Sequence, residues 1–260
     1  MSNDEFNKKT ALITGGAGGI GLAIAQRLAA DGTQLILLGR NQEKGDAALA
    51  LLTQTGATVE FHSVDIGNQE NLSHAMEQIL QNHPQIDILV NNAALSGFTG
   101  PVLETPAEAL DSVLAVNLVA PFLITQFLLP GMKKAGYGRI INISSVAPRV
   151  NPPHSVTYNM SKAGLNSFTA SLSREVAAQG ITVNAIAPGL VLTNRIKDSR
   201  LPSLAKESGR STDEVLQAMT SRCDTKRLTT EEELADAAAF LCTPSARNIT
   251  GQILEMSGGY

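Results

Sequence analysis

The amino-acid sequence predicts an α/β fold: a doubly wound parallel sheet with helices on both faces, stacked as three layers. Three observations carry that expectation. Short apolar runs alternate with longer stretches of helical periodicity along the chain. The runs are rich in Ile, Leu and Val with little polar alternation, as strands buried on both faces must be. No Gly/Ser-rich or Pro-rich linker divides the 260 residues, so one domain spanning 1–260 is expected.

The elements follow in order. Thr10 to Thr14 reads as the first strand, with helical periodicity over 20–30. QLILLG at 34–39 is the second strand, followed by a helix through 54, and TVEFHS at 58–63 is the third. A polar helix over 68–81 leads to IDILV at 86–90. A long helix is expected over 107–135, bent or broken at Pro121, whose ring removes an amide donor. RIINIS at 139–144, a helix over 158–178 and ITVNAIA at 181–187 continue the alternation. The interval 190–228 is less regular. One helix should begin at Thr212, where Ser211 and Glu214 have capping-box spacing. EEELADAAAFLC at 231–242 forms the last helix and GQILEM at 251–256 the last strand.

Composition narrows the class. Hydrophobic residues make up 43% and charged residues 17%, an ordinary globular balance that argues against extensive disorder. A net charge of -4 offers no basic surface for nucleic acid. The opening MSNDEFNKKT is polar and acidic, unlike a secretory signal, and no uninterrupted apolar stretch approaches the roughly 18 residues of a membrane span. Cys223 and Cys242 are too distant for a local metal motif and read as free thiols, Cys242 inside a helix. No metal, nucleic-acid or membrane partner is expected, and the cytoplasm is the expected compartment.

The first reactive cluster lies between the first strand and first helix. ALITGGAGGIG places Gly15, Gly19 and Gly21 where the chain must turn tightly and approach a bound anion, and Gly16–Gly21 also matches G-x-G-x-x-G. Free amides at the start of the next helix suit a pyrophosphate. A tight structural turn is the alternative. At the end of the second strand, where NAD-binding sites place a carboxylate, stands Arg40 after Gly39. A guanidinium there fits a 2′-phosphate, hence NADP(H) over NAD(H), unless Arg40 is a solvated side chain. Asp65 after the third strand could accept from an adenine amino group or cap the following helix. NNAA at 91–94 would let a flat cofactor pass close to backbone.

The second cluster concerns proton transfer. Tyr158 and Lys162 are spaced i,i+4 and share a helix face. A phenol titrates at about 10 unless a neighbouring cation favours the phenolate. Ser144 and Ser145 close the strand before this helix, and either hydroxyl could hold a substrate oxygen or cap a turn.

In this order the motifs resemble the short-chain dehydrogenase/reductase family over nearly the whole chain. TGGAGGIG at 14–21 matches its TGxxxGxG motif, and NNAA its NNAG motif with Ala94 replacing glycine. Asn117 in VNLVAPF matches its helix asparagine, YNMSK its YxxxK pair, and PGLVLT at 188–193 its PGxxxT segment. The thirteen-residue offset between Ser145 and Tyr158 also matches, which favours Ser145 over Ser144.

The resemblance implies a Rossmann-like fold and a catalytic set of Asn117, Ser145, Tyr158 and Lys162. Tyr158 would be the acid in ketone reduction, Lys162 would bind the nicotinamide ribose and lower the tyrosine pKa, and Ser145 would orient the substrate oxygen. Asn117 would support a water leading from Lys162. Cofactor contacts would come from Gly15, Gly19, Ile20 and Gly21, from Arg40, Asp65 and Ile66, from Asn91 and Ala93, and from Tyr158 and Lys162. Pro188, Gly189, Val191 and Thr193 would complete them, Thr193 near the nicotinamide.

The implied activity is that of an oxidoreductase moving a hydride between NADP(H) and a ketone or secondary alcohol, in the reductive direction. It is similar to 3-oxoacyl-thioester reductases and related alcohol dehydrogenases. An NAD-dependent alcohol, sugar or hydroxy-acid dehydrogenase and a non-catalytic dinucleotide-binding regulator are the alternatives. The 190–228 interval resembles the family's variable lid, where Arg195, Lys197, Arg200, Lys206 and Arg210 could engage an anion or form a solvated face. Leu95, Phe98 and Val150 could supply apolar walls, and His154 reads as a surface loop residue. The two long helices imply a homo-oligomer, dimer or tetramer, with the tetramer favoured.

Overall fold

The computed structural model describes residues 9–193 and 196–260. Its strands are β1 (Thr10–Thr14), β2 (Gln34–Gly39), β3 (Val59–Ser63), β4 (Ile88–Asn91), β5 (Gly138–Ile143), β6 (Ile181–Pro188) and β7 (Ile253–Met256). They form one sheet in the order β3-β2-β1-β4-β5-β6-β7, each neighbouring pair parallel. The direction of winding reverses between β1 and β4, which opens a crevice at their carboxyl ends.

Strand pleating divides the core in two. Ala11, Ile13, Leu35 and Leu37 face one side, together with α1 (Gly19–Ala30), α2 (Gln42–Thr53) and α10 (Glu231–Cys242). Leu12, Ile36 and Leu38 face the other, covered by α3 (Gln69–Asn82), α5 (Ala120–Ala135) and α7 (Val156–Val176), while α4 (Ala107–Leu114) packs against α7. The result is the expected three-layer, Rossmann-like α/β sandwich. Each fully buried Leu of β1 and β2 contributes roughly 2 kcal/mol by leaving water.

Helix ends follow local chemistry. Asn41 and Asn68 cap α2 and α3 through their side-chain oxygens, and Thr230 with Glu233 closes a capping box on α10. The Ser211–Glu214 box forms as expected at the start of α9 (Thr212–Ser221). At α1 the capping position is Gly18, which has no side chain to offer, so its first-turn amides carry no side-chain cap.

Three local features stand out. The disturbance expected at Pro121 is present: a π turn over Ala115–Val119 interrupts the long helix just before it and separates α4 from α5. The proline lacks the N–H that a regular helical turn would need there. Between β5 and α7, where a loop was expected, Ala147–Val150 makes a short helix, α6, with Pro148 in its first turn. A further helix, α8 (Leu201–Ser208), precedes α9.

The continuous helical stretch Ala107–Ala135 is long and apolar enough to cross a membrane by length and composition. Asn117, Thr125 and Gln126 interrupt its apolar residues, so it contains no uninterrupted apolar run of that length. In this fold its inner side, including Val113, Val116, Ile124 and Leu128, is buried in the core, while Phe122 on its outer side is exposed.

Candidate active site

Both sequence clusters converge on the carboxyl edge of the sheet. Gly15 and Gly19 have φ of 66° and 55°, the left-handed region that favours glycine. A Cβ on Gly21 would stand 2.3 Å from the Gly15 carbonyl oxygen, so only glycine permits this close loop–helix approach. The resulting cradle, ending in the uncapped amides of α1, fits a pyrophosphate. Ile20 lies in the first turn of α1 and is half-buried.

Asn92 secures that cradle, a residue the sequence reading passed over in favour of its neighbours. Its amide donates to the carbonyls of Thr14 (3.0 Å) and Gly15 (3.2 Å), while Thr14 Oγ1 accepts from the amides of Asn92 and Ala93, both at 3.0 Å. Asn91, the preceding residue, points the other way: its buried side chain donates to Asn142 Oδ1 at 2.8 Å, and Asn142 donates to Thr169. Any contact of Asn91 with a cofactor therefore falls to its backbone.

The adenosine end is open. Arg40 follows β2, is exposed, and forms no ion pair among the described residues. Asp65 is exposed with one oxygen accepting from the Gly67 amide at 3.1 Å; the cap of α3 is Asn68, not Asp65. Ile66 is buried beside it. One further carboxylate overlooks the cradle: a Cβ on Gly19 would lie 3.5 Å from Glu231 Oε1, which is buried without a hydrogen-bond partner. Burial and the neighbouring Glu232 push the Glu231 carboxyl above the usual range, against the pull of Lys197.

At the other end of the crevice, Tyr158 and Lys162 lie one turn apart on α7, with the Lys162 ammonium 5.8 Å from the Tyr158 ring centroid. Lys162 is buried and donates to the Ile143 carbonyl at 2.7 Å, where β5 ends. Burial pushes its pKa down to about 8. The Ser144 hydroxyl donates to Asn166 Oδ1 at 2.6 Å and is buried. Ser145 is half-buried, and its Oγ accepts from the Ala147 amide at 3.1 Å. The two serines thus divide: Ser144 braces α7, and Ser145 keeps its O–H uncommitted within the described residues.

Asn117 sits in the π turn, and its side chain is fully used. Oδ1 accepts from the Leu95 amide at 2.8 Å; Nδ2 donates to the Leu95 carbonyl (2.9 Å) and to Ser161 Oγ (3.0 Å). Ser161, also unnoticed in the sequence, donates to the Tyr158 carbonyl at 2.8 Å. One chain of bonds therefore runs from the loop after β4, through the π turn, to the helix bearing Tyr158. Pro121 has no N–H, so it cannot close the bond a regular helix would give the Asn117 carbonyl.

The remaining wall follows β6. Pro188 is its last residue, and Gly189 packs so tightly on the residue after β7 that a Cβ would stand 2.8 Å from Ser257 Cβ. Val191 pairs with Thr229, and Thr193 Oγ1 accepts from the Ile196 amide at 3.3 Å. Leu95, Phe98 and Val150 are half-buried, and His154 is exposed with φ of 62°. Lys197, Lys206 and Arg210 are exposed; Arg195 and the side chain of Arg200 lie outside the described residues.

A family model described as short chain dehydrogenase matches residues 9–202. Dehydrogenase/reductase SDR family member 4 of Homo sapiens is 36% identical over 256 residues, covering 98% of this chain and 88% of that protein. A solved structure of NAD+-bound xylitol dehydrogenase superposes with a TM-score of 0.90 at 30% identity, covering 98% of this chain and 100% of the other. An actinorhodin polyketide ketoreductase variant with NADPH gives a TM-score of 0.90 at 32% identity, covering 99% and 98%.

Proposed function

The chain belongs to the short-chain dehydrogenase/reductase family, enzymes acting on CH–OH and C=O groups with a nicotinamide dinucleotide, and on that premise we propose that it reduces a ketone to a secondary alcohol with NADPH. The observation that carries this reading is the bonded chain Leu95–Asn117–Ser161–Tyr158, with Lys162 buried on the same helix, facing the glycine cradle across one sheet edge.

When bound, the dinucleotide supplies the hydride at its nicotinamide carbon. Tyr158 gives its phenolic proton to the carbonyl oxygen as that oxygen gains charge. Ser145, its O–H uncommitted, donates to the same oxygen and fixes the carbonyl in line. Lys162, which donates to the Ile143 carbonyl, would hold the nicotinamide ribose and keep a positive charge near the phenol, favouring release of its proton. Asn117 would support a water through which a proton returns toward Lys162. Its side chain holds the turn in place rather than touching the water.

Arg40 favours NADP(H), because an exposed guanidinium with no carboxylate partner among the described residues suits a 2′-phosphate. Arg40→Asp is expected to weaken NADPH binding at least about tenfold more than NADH, measured by fluorescence titration. Equal losses for both cofactors would remove Arg40 from that role. The direct test of function is steady-state absorbance with NADPH or NADH across ketones, 3-oxoacyl thioesters, steroids and sugars. NADPH turnover supports the reductase. NADH-only turnover favours the second reading, NAD-dependent oxidation of a polyol or hydroxy acid, to which the likeness to NAD+-bound xylitol dehydrogenase lends weight. Cofactor binding with no turnover of any carbonyl or alcohol would point to a non-catalytic regulator.

The 190–228 segment serves as the substrate lid within a single domain. Phe122, Val156 and Met160 expose apolar surface on α5 and α7, which two or four copies would bury against each other. Light scattering is expected to give a multiple of 27.4 kDa, with four copies favoured. A mass of 27.4 kDa at micromolar concentration would count against assembly. The buried free thiols Cys223 and Cys242 are compatible with a reducing cytoplasm.

A further inference from the structure

The last strand and the residues after it touch two functional segments at once. Arg149, in α6 just beyond Ser145, donates through Nε to both Glu255 oxygens (3.0 and 2.9 Å) and through Nη2 to the Tyr260 oxygen at 2.5 Å. On the opposite side, Arg222 at the end of α9 stacks over the Tyr260 ring, its Cζ 4.5 Å from the centroid. The backbones join as well, the Thr225 amide donating to the Gly258 carbonyl at 3.0 Å.

The approach is close enough to demand glycine. A Cβ on Gly258 would stand 2.4 Å from Thr225 Oγ1, and one on Gly259 2.4 Å from Asp224 Oδ2; both residues have positive φ. Arg222 to Arg227 is the returning end of the lid. Ala147, the first residue of α6, donates its amide to Ser145 Oγ, so the placement of α6 bears on the serine hydroxyl. Tyr260 is therefore a shared anchor for the lid and for the turn that positions Ser145.

We propose that Arg149, Arg222 and Tyr260 form a clasp that holds the lid in register with the Ser145 turn, and that they are positioning residues for carbonyl turnover. This rests on the ketone-reductase reading for its kinetic consequence but not for its structural one. The Tyr260 ring serves the lid arm and its backbone oxygen serves the α6 arm, so the arms can be cut separately. Tyr260→Ala removes only the first, Arg149→Ala removes the second, and Tyr260→Phe keeps the ring.

Trypsin cleavage after Lys206 and Arg210, both exposed in the lid, provides a readout independent of substrate. Tyr260→Ala should be cut there about fivefold faster than the wild type, the scale of one exposed cation–π contact, while Tyr260→Phe behaves as wild type. With any ketone that the wild type turns over, Tyr260→Ala should raise KM about fivefold with dinucleotide affinity unchanged. Adding Arg149→Ala should then cost less than it does alone, because a clasp open at one arm no longer couples the two segments. Unchanged lid cleavage in Tyr260→Ala, a fully additive double variant, or a parallel loss of dinucleotide affinity would each overturn the clasp. If no ketone reacts, the reductase reading fails while the cleavage result still decides the clasp.

Discussion

Tyr158→Phe is expected to lower kcat on the order of a thousandfold while leaving dinucleotide affinity and thermal stability close to wild type. The substitution keeps the ring and removes only the transferable proton. The backbone carbonyl of residue 158 still accepts from Ser161, so the bonded chain to Asn117 survives. Loss of proton transfer is then separable from loss of architecture. Single-turnover rates with enzyme in excess, measured beside cofactor titrations, check it. Retention of more than about a tenth of the rate would remove Tyr158 from the acid role.

Lys162→Met should cost activity comparably, yet change stability in a direction set by pH. The buried ammonium has its pKa pushed down to about 8 by burial. The unfolded chain holds that proton up to the ordinary lysine value, so between about pH 8 and 10.4 it binds more protons than the folded chain. Below pH 8 both states are charged and the full burial cost, about 3 kcal/mol, weighs on the folded protein. As pH rises toward 10.4, that cost disappears. The wild type should therefore gain stability relative to Lys162→Met by up to about 3 kcal/mol between pH 7 and pH 10. At pH 7 the variant escapes the burial cost but leaves the Ile143 carbonyl unpaired, which offsets part of the gain. Denaturant midpoints at the two pH values test this, and parallel pH profiles for the two proteins would contradict it.

Much of this architecture is legible in the sequence because strands, glycine turns and capping boxes leave local signatures. β2 is found at its expected bounds, and the Ser211–Glu214 box starts α9 where its spacing places it. What escaped notice depends on facing rather than on composition. Asn91 and Asn92 are identical in type, and only strand alternation sends the first into the core and the second to the glycine loop. Ser144 and Ser145 divide in the same way at the end of β5.

Asn117 stands out by motif, but the use of its whole side chain in tying Leu95 to Ser161 is a tertiary outcome with no local signature. α6 and α8 are short and carry a proline in the first turn, which reads as a breaker although that position tolerates it. Ser161 and Glu231 become notable only through what the fold places beside them.

The buried Asn91–Asn142–Thr169 ladder bears on how the sheet assembles. Asn91 and Asn142 are direct partners in the β4–β5 pairing, and each would be stranded if the strands slid by one residue, since a slip sends alternate side chains to the opposite face. Val–Ile and Leu–Ile neighbours elsewhere along these strands tolerate such an error far better, because apolar contacts are indifferent to partner. The amides thus act as a proofreading mark in the middle of the sheet. Misaligned chains are penalised during folding at the two strands whose ends later carry the cradle and the Ser145 turn.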